Sequence, residues 1–108
     1  MEKVIFRQGL LDYLEYLIFH LHESGYFVFK ESSFQYVGKI IDFIYEKIET
    51  FPHKNTPEKL IFLGKQFIIY KSNNKTSWYI FFDITNEGAF LITNILNNHQ
   101  PESRFLNT

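Results

Sequence analysis

The sequence predicts an α+β fold, in which an N-terminal helical hairpin packs on a C-terminal antiparallel β-sheet. Two observations support this prediction. Apolar residues recur at helical spacing over about residues 8–50, and short runs rich in aromatic and β-branched residues follow over about residues 59–97. With 108 residues, of which 45% are hydrophobic, the chain is predicted to be one domain spanning residues 1–108.

The first half of the chain is predicted to contain two amphipathic helices after a short edge strand at residues 3–6. The first helix runs from about Gln8 to Glu23 and ends at Ser24-Gly25. The second begins after the N-cap signal Ser32-Ser33 and stops at Phe51-Pro52. The apolar stripes are Leu10, Leu14, Leu17, Ile18 and Leu21 in the first helix, and Phe34, Val37, Ile41, Ile44 and Ile48 in the second.

The second half is predicted to form an antiparallel meander, because the connections between its β-rich runs are short. The helices are expected to cover one face of this sheet. The residues after Pro101 are predicted to form a frayed polar tail, although Phe105 and Leu106 could pack back on the body. The four predicted strands are Leu60–Leu63, Phe67–Tyr70, Trp78–Phe82 and Ala89–Leu96.

The charge composition limits the possible function classes. The chain has 11 basic and 12 acidic residues, which argues against binding to nucleic acid mainly through a global field. The charge is uneven, with a net −3 over residues 1–53, +4 over residues 54–75 and −2 over residues 76–108. The absence of cysteine excludes a disulfide scaffold and thiolate chemistry.

The sequence shows no signal peptide, membrane span, glycine-rich phosphate loop or metal-protease motif. We therefore expect a cytoplasmic protein that contacts no membrane and uses no cofactor or metal.

His99 is the best candidate for chemistry, because it follows the last predicted strand directly. A histidine titrates near neutrality and can act as a general acid or base, while Arg104 nearby could hold a phosphate. The alternative is a plain strand end at which Asn97 and Asn98 make the turn.

Lys65, Lys71 and Lys75 lie close in sequence to the aromatic ring of Trp78. Lysines neutralise phosphates and aromatic rings stack on bases, so these residues, with Asn98, are candidates for nucleic-acid or target binding. The alternative is a solvated hairpin whose lysines protect the sheet edge from aggregation.

Three features together resemble one known family. They are the helical hairpin closed by Pro52, the core strand from Trp78 to Asp83, and the last strand running into Asn97-Asn98-His99. In this layout the chain resembles the RelE/ParE superfamily of type II toxin–antitoxin toxins. The resemblance implies a small cytoplasmic bacterial protein, inhibited by an antitoxin encoded beside it, whose C-terminal segment would wrap over the helices and the sheet.

The resemblance also implies one of two activities, since one branch of the family cleaves mRNA on the ribosome and the other poisons DNA gyrase. By the resemblance, the position of an arginine usual in the nuclease members is occupied by Trp78, and the arginine or histidine position at the end of the last strand is occupied by His99. The C-terminal aromatic residue that supplies a hydroxyl in some members falls near Phe105, which has none. Cleavage needs a base and stabilisation of a charged phosphorane. Of these three positions only His99 could transfer a proton, so a toxin that binds DNA gyrase is favoured over a nuclease. The alternatives are a ribosome-dependent mRNA endonuclease using His99 and Arg104, and an antitoxin-binding module without toxicity.

Overall fold

The computed structural model describes residues 3–23, 33–72 and 75–106. The predicted end of the first helix at Ser24-Gly25, the cap residue Ser32, and the side chains of Leu21 and Phe34 lie outside the described residues. The observed elements, in chain order, are β1 Val4–Phe6, α1 Leu10–Glu23, α2 Ser33–Lys47, β2 Lys54–Asn55, a first 3-10 helix Glu58–Leu63, β3 Gln66–Lys71, β4 Ser77–Ile84, β5 Phe90–Asn97 and a second 3-10 helix Pro101–Leu106.

The fold is α+β, as predicted, and its centre is a five-stranded sheet in the order β1-β5-β4-β3-β2. Strands β3, β4 and β5 form the predicted antiparallel meander. The sheet as a whole is mixed, because β1 pairs in parallel with β5, with Val4 opposite Phe90. The predicted N-terminal edge strand is thus present as β1, and its parallel pairing was not predicted. A two-residue strand, β2, completes the opposite edge.

The two α-helices cover one face of the sheet through the apolar stripe that the sequence predicts. Leu10, Leu14 and Ile18 of α1 are fully buried in the larger core cluster, against Ile80 and other residues of that sheet face. In α2 the stripe is rotated slightly from the prediction. Ile40 faces the core and is fully buried, whereas Ile41 is only half-buried.

The two 3-10 helices cover the other face, where a second core cluster joins them to Phe67, Tyr79 and Phe81. The run Leu60–Leu63, predicted as a strand, belongs to the first 3-10 helix. In a 3-10 helix, residues three apart lie on the same side, so Leu60 and Leu63 both face the sheet.

Residues Pro101–Leu106 form a second 3-10 helix rather than a frayed tail, and the last two residues of the chain lie outside the described residues. Leu106 is buried and Phe105 packs against the second core cluster, as the sequence suggests for these two residues.

A β-bulge fixes the first 3-10 helix to the sheet. The register between β4 and β5 shifts at Phe81/Phe82, where Asn94 pairs with Phe81 and Ile92 pairs with Phe82. The hydroxyl of Thr93 and the side-chain amide of Asn94 both donate hydrogen bonds to the carbonyl oxygen of Leu63. This carbonyl at the end of the 3-10 helix is thus satisfied by the sheet below it.

Candidate functional site

The turn between β3 and β4 meets the end of β5 at one end of the sheet, and Asn98 joins them. Its side-chain carbonyl accepts a hydrogen bond from the Ser77 backbone N–H at 3.0 Å, and its amide donates to the Lys75 carbonyl at 2.9 Å. The Asn98 backbone N–H donates to the Ser77 carbonyl at 3.1 Å. Asn98 therefore holds in place the turn that carries Lys75.

His99 lies beside this junction and is half-buried. Its Nε2 is 3.2 Å from the hydroxyl of Thr76, a residue only 1% exposed, and its backbone N–H donates to Asn97 Oδ1 at 2.8 Å. The ring is thus oriented by a buried hydroxyl. This contact fits a histidine that fixes the strand end, and it also fits a histidine whose position is set for proton transfer.

The structure brings four predicted site residues to this end of the sheet. Lys71 ends β3 and pairs with Ser77, so it lies across from the strand that Asn98 contacts. We call Lys71, Lys75, Asn98 and His99 the sheet-end cluster. Both lysines are exposed.

Lys65 is not part of this cluster. It precedes β3 at the opposite end of the strand, and its backbone N–H donates to Asp83 Oδ1 at 2.8 Å. At roughly 3.3 Å per residue, Lys65 and Lys71 are separated by about 20 Å.

The prediction that Trp78 contacts a target is wrong for this structure. Trp78 is 0% exposed and packs among the core residues between the sheet and the α-helices. Its indole N–H donates to Tyr36 Oη at 3.1 Å, and Tyr36 Oη is 2.7 Å from Ser72 Oγ, which donates to the Thr76 carbonyl. The ring anchors α2 to the β3–β4 turn and offers no surface for stacking on a base.

Arg104 lies on the second 3-10 helix, where its guanidinium carbon is 4.9 Å from the centre of the Phe105 ring. Lys59, from the first 3-10 helix, places its ammonium 5.0 Å from the centre of the same ring. The structure therefore places Arg104 near Lys59, and the sequence did not indicate this proximity.

A groove lies on the outer side of the helical hairpin, where no sequence pattern had indicated a site. The groove has a volume of about 220 Å³ and an almost wholly apolar lining. It lies where Gly38 leaves open space on α2, since an added Cβ would meet no atom within 4 Å. Its lining residues are Leu11, Glu15, Val37, Gly38 and Ile41.

Exposed aromatic residues accompany this groove on the same two helices. Tyr16 is 64% exposed, and Phe19 and Tyr45 are each 57% exposed. In the sequence these residues lie off the apolar stripes, and that position is the signal that could have identified them. Exposed carboxylates lie on the same helices, including Asp12, Glu15 and Asp42.

Tyr79 is a further residue that no sequence motif marks. It belongs to the second core cluster, and burial raises the pKa of its phenol. The phenol therefore remains protonated at neutral pH and can act as a hydrogen-bond donor.

Comparisons with known proteins add no assignment. No protein-family model matches this sequence, and no curated protein and no solved structure matches it.

Among residues 3–23, 33–72 and 75–106, no group of three or more His, Cys, Asp or Glu side chains is placed to hold a metal ion. None of the helices in this part of the chain is long and apolar enough to cross a membrane.

Proposed function

We propose that this chain is the toxin of a type II toxin–antitoxin system, that it inhibits growth by binding a protein target, and that an antitoxin neutralises it. The favoured target is DNA gyrase. The observation that carries this proposal is the exposed aromatic and apolar surface of the helical hairpin. Aromatic residues are enriched in protein interfaces, and apolar grooves are surfaces on which amphipathic partner helices dock.

The groove on the hairpin suits an amphipathic helix of a partner protein. Leu11, Val37 and Ile41 offer apolar contacts, and Gly38 leaves room for an inserted side chain. Glu15 lines the groove, and residues 1–53 carry a net charge of −3. A basic flank on the partner helix would complement this charge. We propose that the antitoxin supplies this segment.

Several contacts favour binding over RNA cleavage. Cleavage requires a base together with cationic groups near the developing charge on phosphorus. Trp78 is buried where nuclease members of the resembled family carry an arginine, His99 Nε2 contacts Thr76, and the Arg104 guanidinium lies over Phe105. This set provides no assembled centre for phosphoryl transfer.

A ribosome-dependent mRNA endonuclease is the second candidate, and one observation favours it. His99 lies in the sheet-end cluster with two exposed lysines, Lys71 and Lys75, which could contact phosphates. In this version His99 acts as the general acid or base, and Arg104 neutralises the charge on the phosphate. A third version is an antitoxin-binding module that has lost its toxicity.

The first experiment is inducible expression of the full chain in a bacterial host, with growth scored while RNA 5′ ends are sequenced. We expect growth arrest with intact transcripts, and inhibition of gyrase supercoiling by the purified protein. His99→Ala should leave the arrest unchanged, as should the control His20→Ala on the surface of α1. New ribosome-phased 5′ ends that disappear in a folded His99→Ala protein would establish the nuclease instead. Absence of growth arrest would favour the third version, an antitoxin-binding module without toxicity.

The second experiment tests the groove through co-expression with the product of the adjacent reading frame. We expect this product to restore growth, and we expect Gly38→Leu to prevent restoration while the arrest itself persists. Glu46→Leu is the matched control, because it adds the same side chain at an exposed position of α2 that does not line the groove. Equal restoration with both variants would contradict the proposed docking site.

A further inference from the structure

The 3-10 helices present an exposed aromatic residue that none of the proposals above uses. Phe62 is 74% exposed, more than any other large hydrophobic residue in the described part of the chain. Because residues three apart are aligned in a 3-10 helix, Lys59 and Phe62 lie on the same side of the first 3-10 helix. Leu60 and Leu63 occupy the buried side. The fold therefore exposes the Phe62 ring to solvent on the same side of the helix as the cationic Lys59.

Two cations are held close together at this place. Lys59 Nζ and Arg104 Cζ lie 5.0 and 4.9 Å from the centre of the Phe105 ring, so they are at most about 10 Å apart. Neither forms an ion pair with any residue in the described parts of the chain. The contacts with the ring hold both side chains in place, which lowers the entropy cost of using them to bind an anion.

We propose that Lys59, Phe62, Arg104 and Phe105 form a binding surface for single-stranded nucleic acid, which we call the 3-10 surface. An unpaired base stacks on Phe62, and Lys59 and Arg104 bind neighbouring phosphates of the strand. Any base can stack on an exposed aromatic ring, so this surface binds single strands with little sequence preference. The nearly neutral net charge of the chain makes this binding weak and local rather than driven by a global field.

The position of Glu58 favours a narrow strand over a broad anionic surface such as a membrane. By the same three-residue spacing, Glu58 shares a side of the first 3-10 helix with Ile61, away from Lys59 and Phe62. A single strand can follow the side with Lys59 and Phe62 and avoid Glu58, whereas a flat bilayer surface would bring Glu58 against anionic headgroups along with the two cations. Glu102 shares a side of the second 3-10 helix with Phe105, so the strand contacts this helix through Arg104 and not through the Phe105 side.

The test is fluorescence anisotropy of the full chain with fluorescein-labelled 15-nucleotide oligouridylate and oligothymidylate at several salt concentrations. We expect Phe62→Ala to weaken binding about tenfold, the typical effect of losing one stacked base. The matched control is Phe19→Ala, which removes a ring 57% exposed on α1 and should leave the affinity unchanged. Circular dichroism and thermal unfolding confirm that each variant is folded.

The second measurement uses the salt dependence of the same binding. Lys59→Gln/Arg104→Gln removes two phosphate contacts, which should reduce the slope of log affinity against log salt by about 1.4 for a single strand. Lys54→Gln is the control at an exposed lysine outside the 3-10 surface. Equal affinities and slopes for all variants would overturn the proposal, and so would binding to phosphatidylglycerol vesicles without binding to the oligonucleotides.

The 3-10 surface and the hairpin groove lie on opposite sides of the sheet and share no residue. Gly38→Leu should therefore leave oligonucleotide binding unchanged, whatever its effect on neutralisation. Loss of oligonucleotide binding in Gly38→Leu would indicate that the two surfaces are not independent.

Discussion

At the scale of single residues, Gly64 shows how tightly the first 3-10 helix approaches the sheet. A Cβ at this position would lie 2.6 Å from Thr93 Oγ1, 3.0 Å from Phe81 Cβ and 3.1 Å from the Phe82 backbone nitrogen. Its φ of +156° is also rare for residues with a side chain. Only glycine allows the chain to pass here without moving Thr93 of β5 or the adjacent residues of β4.

We predict that Gly64→Ala lowers the free energy of unfolding by about 2 kcal/mol, through steric overlap and backbone strain. Gly38→Ala is the comparison, since a Cβ there meets open space in the middle of a helix. It should raise the free energy of unfolding by about 0.5–1 kcal/mol. Urea unfolding of both variants measures the two effects, and two changes of the same sign would contradict this account.

The hydroxyl of Tyr36 accepts the hydrogen bond of the buried Trp78 indole. Tyr36→Phe would leave that indole N–H without its acceptor, which should cost about 1–3 kcal/mol of stability. Tyr45→Phe is the control, because Tyr45 is 57% exposed and its hydroxyl can be replaced by water. Thermal unfolding should separate the two variants, and equal midpoints would show that the indole finds another partner.

The pH dependence of stability should reveal the environment of Tyr79. Burial raises its folded-state pKa above the ordinary value of 10.0, so the folded protein holds this proton more tightly than the unfolded chain. The resulting stabilisation is fully present below pH 10 and is lost as pH rises through the folded-state pKa. Urea unfolding of wild type and Tyr79→Phe between pH 8 and 11 tests this. Because the lysines and the other tyrosines contribute equally to both proteins, the stability of wild type relative to Tyr79→Phe should fall as pH rises above 10. A difference independent of pH would contradict the prediction.

At the scale of elements, the second 3-10 helix is an integral part of the core. Leu106 is 2% exposed and packs in the second core cluster with Leu60 and Phe67. Truncation before Pro101 would therefore disturb the fold as well as remove a surface. Point substitutions on this helix are the cleaner probes of function.

Leu106→Ala should lower the free energy of unfolding by about 2–4 kcal/mol, since it leaves a cavity under the second 3-10 helix. Phe62→Ala should change it by less than about 0.5 kcal/mol, because Phe62 is 74% exposed. Chemical denaturation provides the comparison. A small effect of Leu106→Ala would mean that this helix contributes little to the core in solution.

The helices and the strands of the meander were predictable because their apolar residues follow a clear period. The run Leu60–Leu63 was not, since a four-residue apolar run fits a strand and a short helix equally well. The parallel pairing of β1 depends on contacts between residues 4 and 90 that no local pattern encodes. The burial of Trp78 could partly be predicted from the sequence, because Trp78 shares a strand face with Ile80 and Phe82, which are both core residues.

The candidate site was predictable to a smaller extent. Asn98 and His99 were identified because a β-rich run ends at them, and the structure brings them to the same end of the sheet as Lys71 and Lys75. The pairing of Lys59 with Arg104 was not predictable, because it depends on two 3-10 helices that meet across a sheet face. The groove depends on how α1 packs against α2.

At the scale of the whole molecule, the sheet separates two surfaces of different chemistry. The helical side presents an apolar groove within an acidic segment, and the opposite side presents Phe62 beside Lys59 and Arg104. A partner bound to one side leaves the other open. If the proposed antitoxin binds the groove, we expect a ternary complex with it and an oligonucleotide, measurable as a further rise in anisotropy when the antitoxin is added.

The parallel pairing of β1 with β5 also affects how the chain folds. Residues 4 and 90 are far apart in sequence, and closing so long a loop carries an entropic cost, so we expect this pairing to form late in folding. Until then the outer edge of β5 has no neighbour and can pair with the first strand of another molecule. The N-terminal strand is thus the element that two copies would exchange, and refolding at high protein concentration should yield strand-swapped dimers.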